Sequence, residues 1–383
     1  MANNNKHTGP NVPALRFPEF SGEWEKMSLQ DCCSDFSYGL NAPAKAYDGV
    51  NKYIRITDID ENTSVYKSDD PVSPDGLMSD EYLVNENDIL FARTGASTGK
   101  TYLYNQNDGR LFYAGFLIKA NVNNNCDPYF IFSQTKTQSY RRWVEIMSTR
   151  SGQPGINSQE YASYPLYVPS KEEQEKIALL LRGLDKRILV QSKIIEEHET
   201  LLRSLRHKIY SRVQAQSQCT IADVLCYEQP TKYLVTDTDY TDDDSQVPVL
   251  TANKAFILGY TTENFGIYDK GPCIILDDFT LDCKYVDFKF KVKSSAIKIL
   301  RAKAKTNLRF IFEYFRFLEL NTTEHRRHYI AEIEPMSILL PSNEEIDRIA
   351  RLFTALDERL EAARKELKIL ELQKMYMLQK MFI

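Results

Sequence analysis

Residues Gly95 to Thr101 read GASTGKT and follow the strand-like DILFAR. A loop of glycine, hydroxyl and lysine residues after a strand is a place where phosphate can be held. A nucleotide-binding loop of that kind needs four residues between its glycines to wrap a β-phosphate, and a helix start beyond them. Here only three residues separate Gly95 from Gly99, and strand-like YLY follows Lys100-Thr101. The spacing therefore argues against nucleoside triphosphate chemistry. The same residue types can grip a DNA phosphate or base edge through Arg93, Thr94, Ser97 and Lys100, or form a plain turn with no ligand.

A second candidate zone is Arg150-Ser151-Gly152-Gln153-Pro154-Gly155-Ile156-Asn157. It is small, polar and flexible enough to approach bases closely, and it reads equally as a surface loop. Asp127-Pro128-Tyr129-Phe130 resembles the catalytic tetrapeptide of amino-methyltransferases but lacks its second proline, and no glycine-rich cofactor loop precedes it. A helix start explains Asp127-Pro128 better. His325 and His328 flank Arg326-Arg327 in a polar loop, which suits ion pairing or phosphate contact more than metal binding. No carboxylate cluster suits a nuclease. The chemistry legible here is binding.

At 383 residues the chain exceeds one ordinary domain, and 43% hydrophobic with 26% charged residues is a globular composition. No stretch approaches 18 uninterrupted apolar residues, so no membrane association is expected. The polar start MANNNKHTGPNVPAL has no apolar signal core. Seven cysteines without a CxxC pair indicate neither a disulfide framework nor a zinc site, and a reducing cytoplasm fits. Net charge is -5, from 48 basic and 53 acidic residues. Yet residues 289 to 309 carry Lys289, Lys291, Lys293, Lys298, Arg301, Lys303, Lys305 and Arg309 without one acid, while acids crowd residues 58 to 88 and 237 to 244. That run reads either as a cationic face for a polyanion or as a solvated edge.

These loops need a scaffold, and a repeat supplies it. VPSKEEQEKIALLLRGLDKRI at 168–188 and LPSNEEIDRIARLFTALDERL at 340–360 share ten identical positions at an offset of 172. Each Pro-Ser-x-Glu-Glu opens a helix, with Ser170 or Ser342 as cap and acids in the first turn. Apolar residues then step by four and three: Ile177, Leu181, Leu184, Ile188, Ile195, Leu202, Leu205 and Ile209 in one copy. The other has Ile349, Phe353, Leu356, Leu360, Ala363, Leu367, Leu370, Met377 and Met381. Gln191, His198 and Lys374 are polar at in-phase positions. This 3.5-residue period predicts a coiled-coil seam.

The segments outside these helices contain short β-like runs (YIRITDI, DILFAR, LFYAGFLIKA; VPVLTA, CIILDD, YVDFKFKV, AIKIL) and a helical stretch each, PYFIFSQTKTQSYRRWVEIM and NLRFIFEYFRFLEL. The order is globule, helix, globule, helix. If each globule starts and ends near one point, the seams meet only antiparallel, with a globule at each end of the pair. The expectation is a mixed α/β (α+β) chain with a pseudo-twofold repeat. Its parts are domain 1 at 1–168, helix 1 at 169–216, domain 2 at 217–340 and helix 2 at 341–383.

The chain resembles the DNA-specificity subunit of type I restriction–modification systems. In the first globule the resemblance rests on NVPALRFPEFSGEWE, YIRITDI, NDILFARTGASTGK, SGQPGIN and YPLYVPSKEEQEKIA. In the second it rests on VPVLTANK, CIILDDFTLDCKYVDFKF, KSSAIKIL and HRRHYIAEI. One departure is visible: Glu173-Gln174 of the first repeat becomes Glu345-Ile346 in the second. The resemblance implies a non-catalytic subunit with two target-recognition domains, each reading half of a bipartite site in double-stranded DNA, and helices that set the spacer. Two adenine methyltransferase subunits would dock on it, and two translocating endonuclease subunits would complete the assembly. S-adenosylmethionine, magnesium and ATP would belong to those partners, with no cofactor in this chain. Candidate DNA contacts are Arg93, Thr94, Ser97, Lys100, Arg150, Ser151, Gln153 and Asn157 in the first domain, and Thr280, Lys293, Ser294, Ser295, Arg326 and Arg327 in the second. Two other readings are a coiled-coil scaffold without DNA binding, which a salt-sensitive DNA shift would dismiss, and an NTP-using enzyme, which phosphate release from ATP would revive.

Overall fold

The computed structural model describes residues 11–61, 63–149, 153–251, 256–303, 306–320, 322 and 326–383. The chain is mixed α/β and forms two compact units, Met1–Val190 with Leu367–Ile383, and Gln191–Glu366.

In the first unit a four-stranded antiparallel sheet runs in the order Cys33–Tyr38, Leu117–Val122, Asp88–Ala92, Thr101–Leu103. The DILFA strand is apolar without alternation because both its faces are covered. Ile89 and Phe91 enter one core with Trp24, Phe130 and Ile131, whereas Leu90 and Ala92 enter another with Ile54, Tyr102 and Tyr113. Residues two apart share a face. Asp127 opens a helix as expected, its carboxylate accepting from Phe130 N at 2.9 Å. The single helical stretch expected after it is instead two helices, Pro128–Gln134 and Gln138–Ser148. Threonines cause the break: Thr135 Oγ1 donates to Phe132 O and Thr137 Oγ1 to Gln134 O, each at 2.7 Å. Thr137 Oγ1 also accepts from Tyr140 N and caps the second helix. LFYAGFLIKA likewise divides, into Leu111–Tyr113 and Leu117–Val122 around a turn at Gly115. A ribbon of Glu25–Ser28 with Pro165–Val168 then delivers the chain to Pro169.

The second unit repeats this plan. Its sheet runs Leu225–Glu228, Ile297–Ala302, Cys273–Asp277, Cys283–Val286. Ile274 and Leu276 face one core while Cys273 and Ile275 face another. A ribbon of Ser217–Thr220 with Ser337–Leu340 leads into the second repeat.

The repeats form two long helices, α1 (Lys171–Tyr210, 40 residues) and α2 (Asn343–Lys380, 38 residues). Ser170 Oγ and Ser342 Oγ accept from Glu173 N and Glu345 N at 3.5 and 3.2 Å, as the caps require. Within the first unit, Ile177, Leu181 and Leu184 of α1 share a core with Met381 of α2. Lys374 Nζ there meets Asp185 Oδ1 at 2.5 Å. Within the second, Gln191 Nε2 donates to Ala363 O at 3.0 Å, and Arg364 pairs with Glu199 at 2.6 Å. Leu202, Leu360 and Phe353 lie in that unit's core. In the first unit the start of α1 meets the end of α2, and in the second Gln191 meets Ala363 while Arg206 and Tyr210 lie against Phe353, so within each unit the two helices run antiparallel.

The Gln-to-Ile departure has a local cause. Gln174 is buried; its carboxamide accepts from Asp127 N at 2.9 Å and donates to Pro169 O at 3.0 Å, tying a helix start to the strand exit. In the second unit Asn307 caps the corresponding helix and binds Asp347 directly, at 3.0 Å. Ile346 there simply joins the core.

Candidate nucleic-acid interface

Strand Asp88–Ala92 of the first unit ends at Arg93, where three segments converge. Arg93 N donates to Phe116 O at 3.1 Å, and Ile156 N donates to Arg93 O at 2.9 Å. Thr94 bridges Gly155, and Gly95 N donates to Pro154 O at 3.0 Å. The loop after DILFAR and the polar segment 153–157, some sixty positions apart in the chain, thus form one surface.

Four amides of the GASTGKT loop are already engaged in backbone hydrogen bonds. The N–H groups at Gly95, Thr98, Gly99 and Lys100 go to Pro154 O, Gly95 O, Ala92 O and Ser97 O. Gly99 has φ +89°, and a Cβ on it would meet Val144 at 2.6 Å, so the second glycine serves a tight packing contact. Lys100 is held away from the surface: Nζ donates to Ile59 O at 3.2 Å and pairs with Glu61 at 3.3 Å. Thr94 and Ser97 are half-buried on the surface, and Gln153 is exposed beside Gly95. The Asn157 carboxamide oxygen is occupied, accepting from Glu160 N at 2.9 Å to cap helix Ser158–Ala162. Arg150 and Ser151 lie outside the described residues.

Two aromatic rings join this face that the sequence did not single out. The Arg93 guanidinium lies over the Tyr38 ring at 4.7 Å, and Tyr38 is 41% exposed. The Tyr38 hydroxyl accepts from Ser158 N at 3.2 Å. Partial burial pushes the Tyr38 phenol up, but hydrogen bonding from Ser158 and the Arg93 charge outweigh it, leaving it below its ordinary value. Phe116 is 61% exposed at the tip of the turn that receives Arg93 N. The glycine inside LFYAGFLIKA was the one sequence signal that a turn, rather than a strand, presents this ring.

In the second unit the strand Cys273–Asp277 ends at Asp278, and again three segments converge. Asp278 N donates to Ala296 O at 3.1 Å, and His328 N donates to Asp278 O at 3.0 Å. These bonds gather the candidates of three separate loops. Thr280 is exposed in the turn at 277–282, its N–H donating to Asp277 Oδ1 at 3.0 Å. Ser294 Oγ accepts from Ala296 N at 3.1 Å, and Lys293 and Ser295 are exposed beside it. Arg326 pairs with Glu332 at 2.5 Å, while Arg327 is exposed. His328 is buried, with Nδ1 2.9 Å from Glu332 Oε2 and Nε2 3.1 Å from Thr322 Oγ1. It packs the loop with both ring nitrogens in hydrogen-bond contact. His325 lies outside the described residues.

The basic run does not make a cationic stripe. Lys289 pairs with Asp269 at 2.8 Å, Lys291 with Glu263 at 2.6 Å, Lys298 with Asp278 at 3.1 Å, Arg301 with Glu228 at 3.6 Å and Arg309 with Glu313 at 2.7 Å. Lys303 Nζ donates to Ala222 O, and Lys305 lies outside the described residues. Lys293 and Lys303 are the exposed members of the described run for which no ion pair is formed, Lys303 being held by the Ala222 carbonyl. A stretch acid-free in sequence is neutralised in space by acids drawn from elsewhere.

Among the described residues no group of histidine, cysteine and carboxylate side chains could hold a metal ion. No described helix is long and apolar enough to cross a membrane.

Residues 21–200 match the type I restriction modification DNA specificity domain. Over 158 residues the chain is 42% identical to the type I restriction enzyme EcoR124I/EcoR124II specificity subunit of Escherichia coli, covering 37% of this chain and 39% of that one. The match therefore spans less than half of that relative's length. The putative type I restriction enzyme MjaX specificity subunit of Methanocaldococcus jannaschii is 22% identical over 94% of this chain and 93% of its own. The fold is that of the S subunit of a type I restriction-modification system from M. genitalium, with a TM-score of 0.71 at 16% identity over 97% of this chain and 99% of that one.

Proposed function

We propose that this chain is a DNA-specificity subunit of the type I restriction–modification family, and that it reads a bipartite site in double-stranded DNA, one half with each unit. The observation that carries this reading is the matched loop convergence. In both units the end of the same central strand gives its N–H to the turn before the adjacent strand, Leu117–Val122 or Ile297–Ala302, and takes one from a late loop, at Arg93 and at Asp278. Loops held on a rigid sheet end are suited to present side chains to base edges.

The chain supplies recognition and no catalytic group, and adenine methylation falls to two methyltransferase subunits docked on α1 and α2. Two translocating endonuclease subunits complete the restriction assembly, and S-adenosylmethionine, magnesium and ATP are bound by these partners. The helix pair sets the unread spacer. The occupied amides of the GASTGKT loop favour this reading over nucleotide hydrolysis.

The test is to express the chain with its methyltransferase subunit and map methylated adenines across a genome. A two-part motif with a fixed gap is the expected result. A contiguous motif, or methylation indifferent to this chain, would overturn the proposal.

A further inference from the structure

We infer that Arg93 reads a guanine in the half-site of the first unit, braced by Tyr38 and held at its backbone by the turn that exposes Phe116, and that the second unit has no such reader at the equivalent position. The inference rests on the DNA-reading function proposed above and goes further, to one residue and one base.

Arg93 is unusual in what it lacks. No carboxylate pairs with it among the described residues, and its Nε is buried without a hydrogen-bond partner. Its position is nevertheless fixed. The backbone is tied on one side to Phe116 O and on the other to Ile156 N. One face of the guanidinium rests on Tyr38 at 4.7 Å, and Ser158 N holds the Tyr38 hydroxyl. A planar fork held by a ring on its face offers its donors edge-on. Two parallel donors match the O6 and N7 acceptors of guanine in the major groove, the commonest specific arginine contact.

A phosphate also accepts a forked arginine, so the surroundings must decide. Tyr38, 41% exposed, lies against the guanidinium, and Phe116, 61% exposed, sits in the turn whose carbonyl holds Arg93 N. Aromatic rings add nothing to a phosphate contact, but they gain by covering a base edge or a thymine methyl. Nearby Lys100 is turned inward onto Ile59 O and Glu61, so it does not supply the charge that a backbone-gripping face would use.

The second unit is built differently at the same place. Asp278 replaces Arg93 in the backbone pattern and is 1% exposed. Its carboxylate accepts from His328 N at 3.2 Å and Tyr329 N at 2.8 Å, and pairs with Lys298 at 3.1 Å. The position that carries Phe116 in the first unit carries Ala296 in the second. Here the strand end is spent on holding loops together, and reading passes to exposed side chains such as Arg327.

The experiment offers random-sequence duplex DNA to the full chain in complex with its methyltransferase subunits and sequences what is retained. Wild type, Arg93→Gln, Arg93→Lys and Phe116→Ala are compared. Wild type should enrich a two-part motif with guanine at one position. In Arg93→Gln, and to a lesser degree in Arg93→Lys, preference for that guanine should fall by about 5- to 150-fold, the discrimination of one bidentate contact. Phe116→Ala should relax the neighbouring position. The other half of the motif must stay intact, which also shows that the variants are folded. A uniform loss of affinity with the motif unchanged would mean that Arg93 grips phosphate, and the inference would fail. A wild-type motif without guanine in either half would overturn it too. No motif at all for wild type would instead remove the DNA-reading function itself, and this inference with it.

Discussion

Gln191 and Ala363 hold the same place in the two copies of the repeat, 172 positions apart, and they touch: Gln191 Nε2 donates to Ala363 O at 3.0 Å. Equivalent residues of an antiparallel pair can meet only where the local twofold axis of the pair passes between them. A polar residue on an apolar seam is tolerated there because the carbonyl of the partner helix satisfies it, and a small alanine lets the backbones come close. Lys374 shows the same economy, since its ammonium finds Asp185 beside the seam.

Ala363→Leu should therefore lower unfolding stability by about 1–3 kcal/mol through overpacking at this crossing. Gln191→Ala should cost about 0.5–1.5 kcal/mol, the net worth of one hydrogen bond. Denaturant unfolding of both variants reads this out. If Ala363→Leu were neutral or stabilising, the helices would not approach as closely as this contact requires.

The seam is legible in the sequence because its period is local: residues three and four apart define it without knowledge of the partner. The long helices, their caps at Ser170 and Ser342 and the start at Asp127-Pro128 follow for the same reason. Sheet order is not local, and neither is the fate of the basic run, whose partners Glu228, Glu263 and Asp278 come from other strands and loops. At the site, the sequence points to Arg93 and Gln153, but only the fold brings them together. Tyr38 reads as an ordinary strand residue until the fold lays Arg93 across it.

Glu313 is fully buried between two arginines, its Oε2 2.8 Å from Arg206 Nε and its Oε1 2.7 Å from Arg309 Nη2. Removing Glu313 costs more than the set contributes, because Arg206 stays desolvated and unpaired while Arg309 keeps only Asp357. Glu313→Gln is expected to destabilise the protein by about 3–5 kcal/mol. Replacing Arg206 by methionine in that background should recover part of the loss by removing one stranded charge. Chemical denaturation of the single and double variants decides it, and a loss below about 1 kcal/mol would show that the arginines are solvated without Glu313.

Lys291 and the N–H groups and hydroxyl of Thr236 and Asp237 surround Glu263, and the Lys291 contact leads in lowering its pKa from 4.5 to about 2. A carboxylate depressed on folding stabilises the native state fully above its unfolded value. That contribution is lost as pH falls from 4.5 towards 2. The stability difference between wild type and Glu263→Gln should be largest near neutrality and shrink through that window. A difference independent of pH would mean that the ionised form is not what the fold holds.

The helix pair itself yields the last test. If it sets the number of unread base pairs, lengthening both helices in phase must lengthen the gap in the recognised site. Four residues inserted beside Gln191 and four beside Ala363 add roughly 6 Å of rise to each helix and turn each by about 400°, so the seam stays nearly in register. At about 3.4 Å per base pair, the spacer should grow by one or two base pairs. Neither half of the motif should change, because the loops around Arg93 and Asp278 keep their own sheet ends. Two residues inserted at each place would rotate each helix by about 200° and set apolar residues against solvent, so that assembly fails and the spacer never shifts. Methylation mapping of both insertion variants separates these outcomes. An unchanged gap with four added residues would show that something other than α1 and α2 fixes the distance.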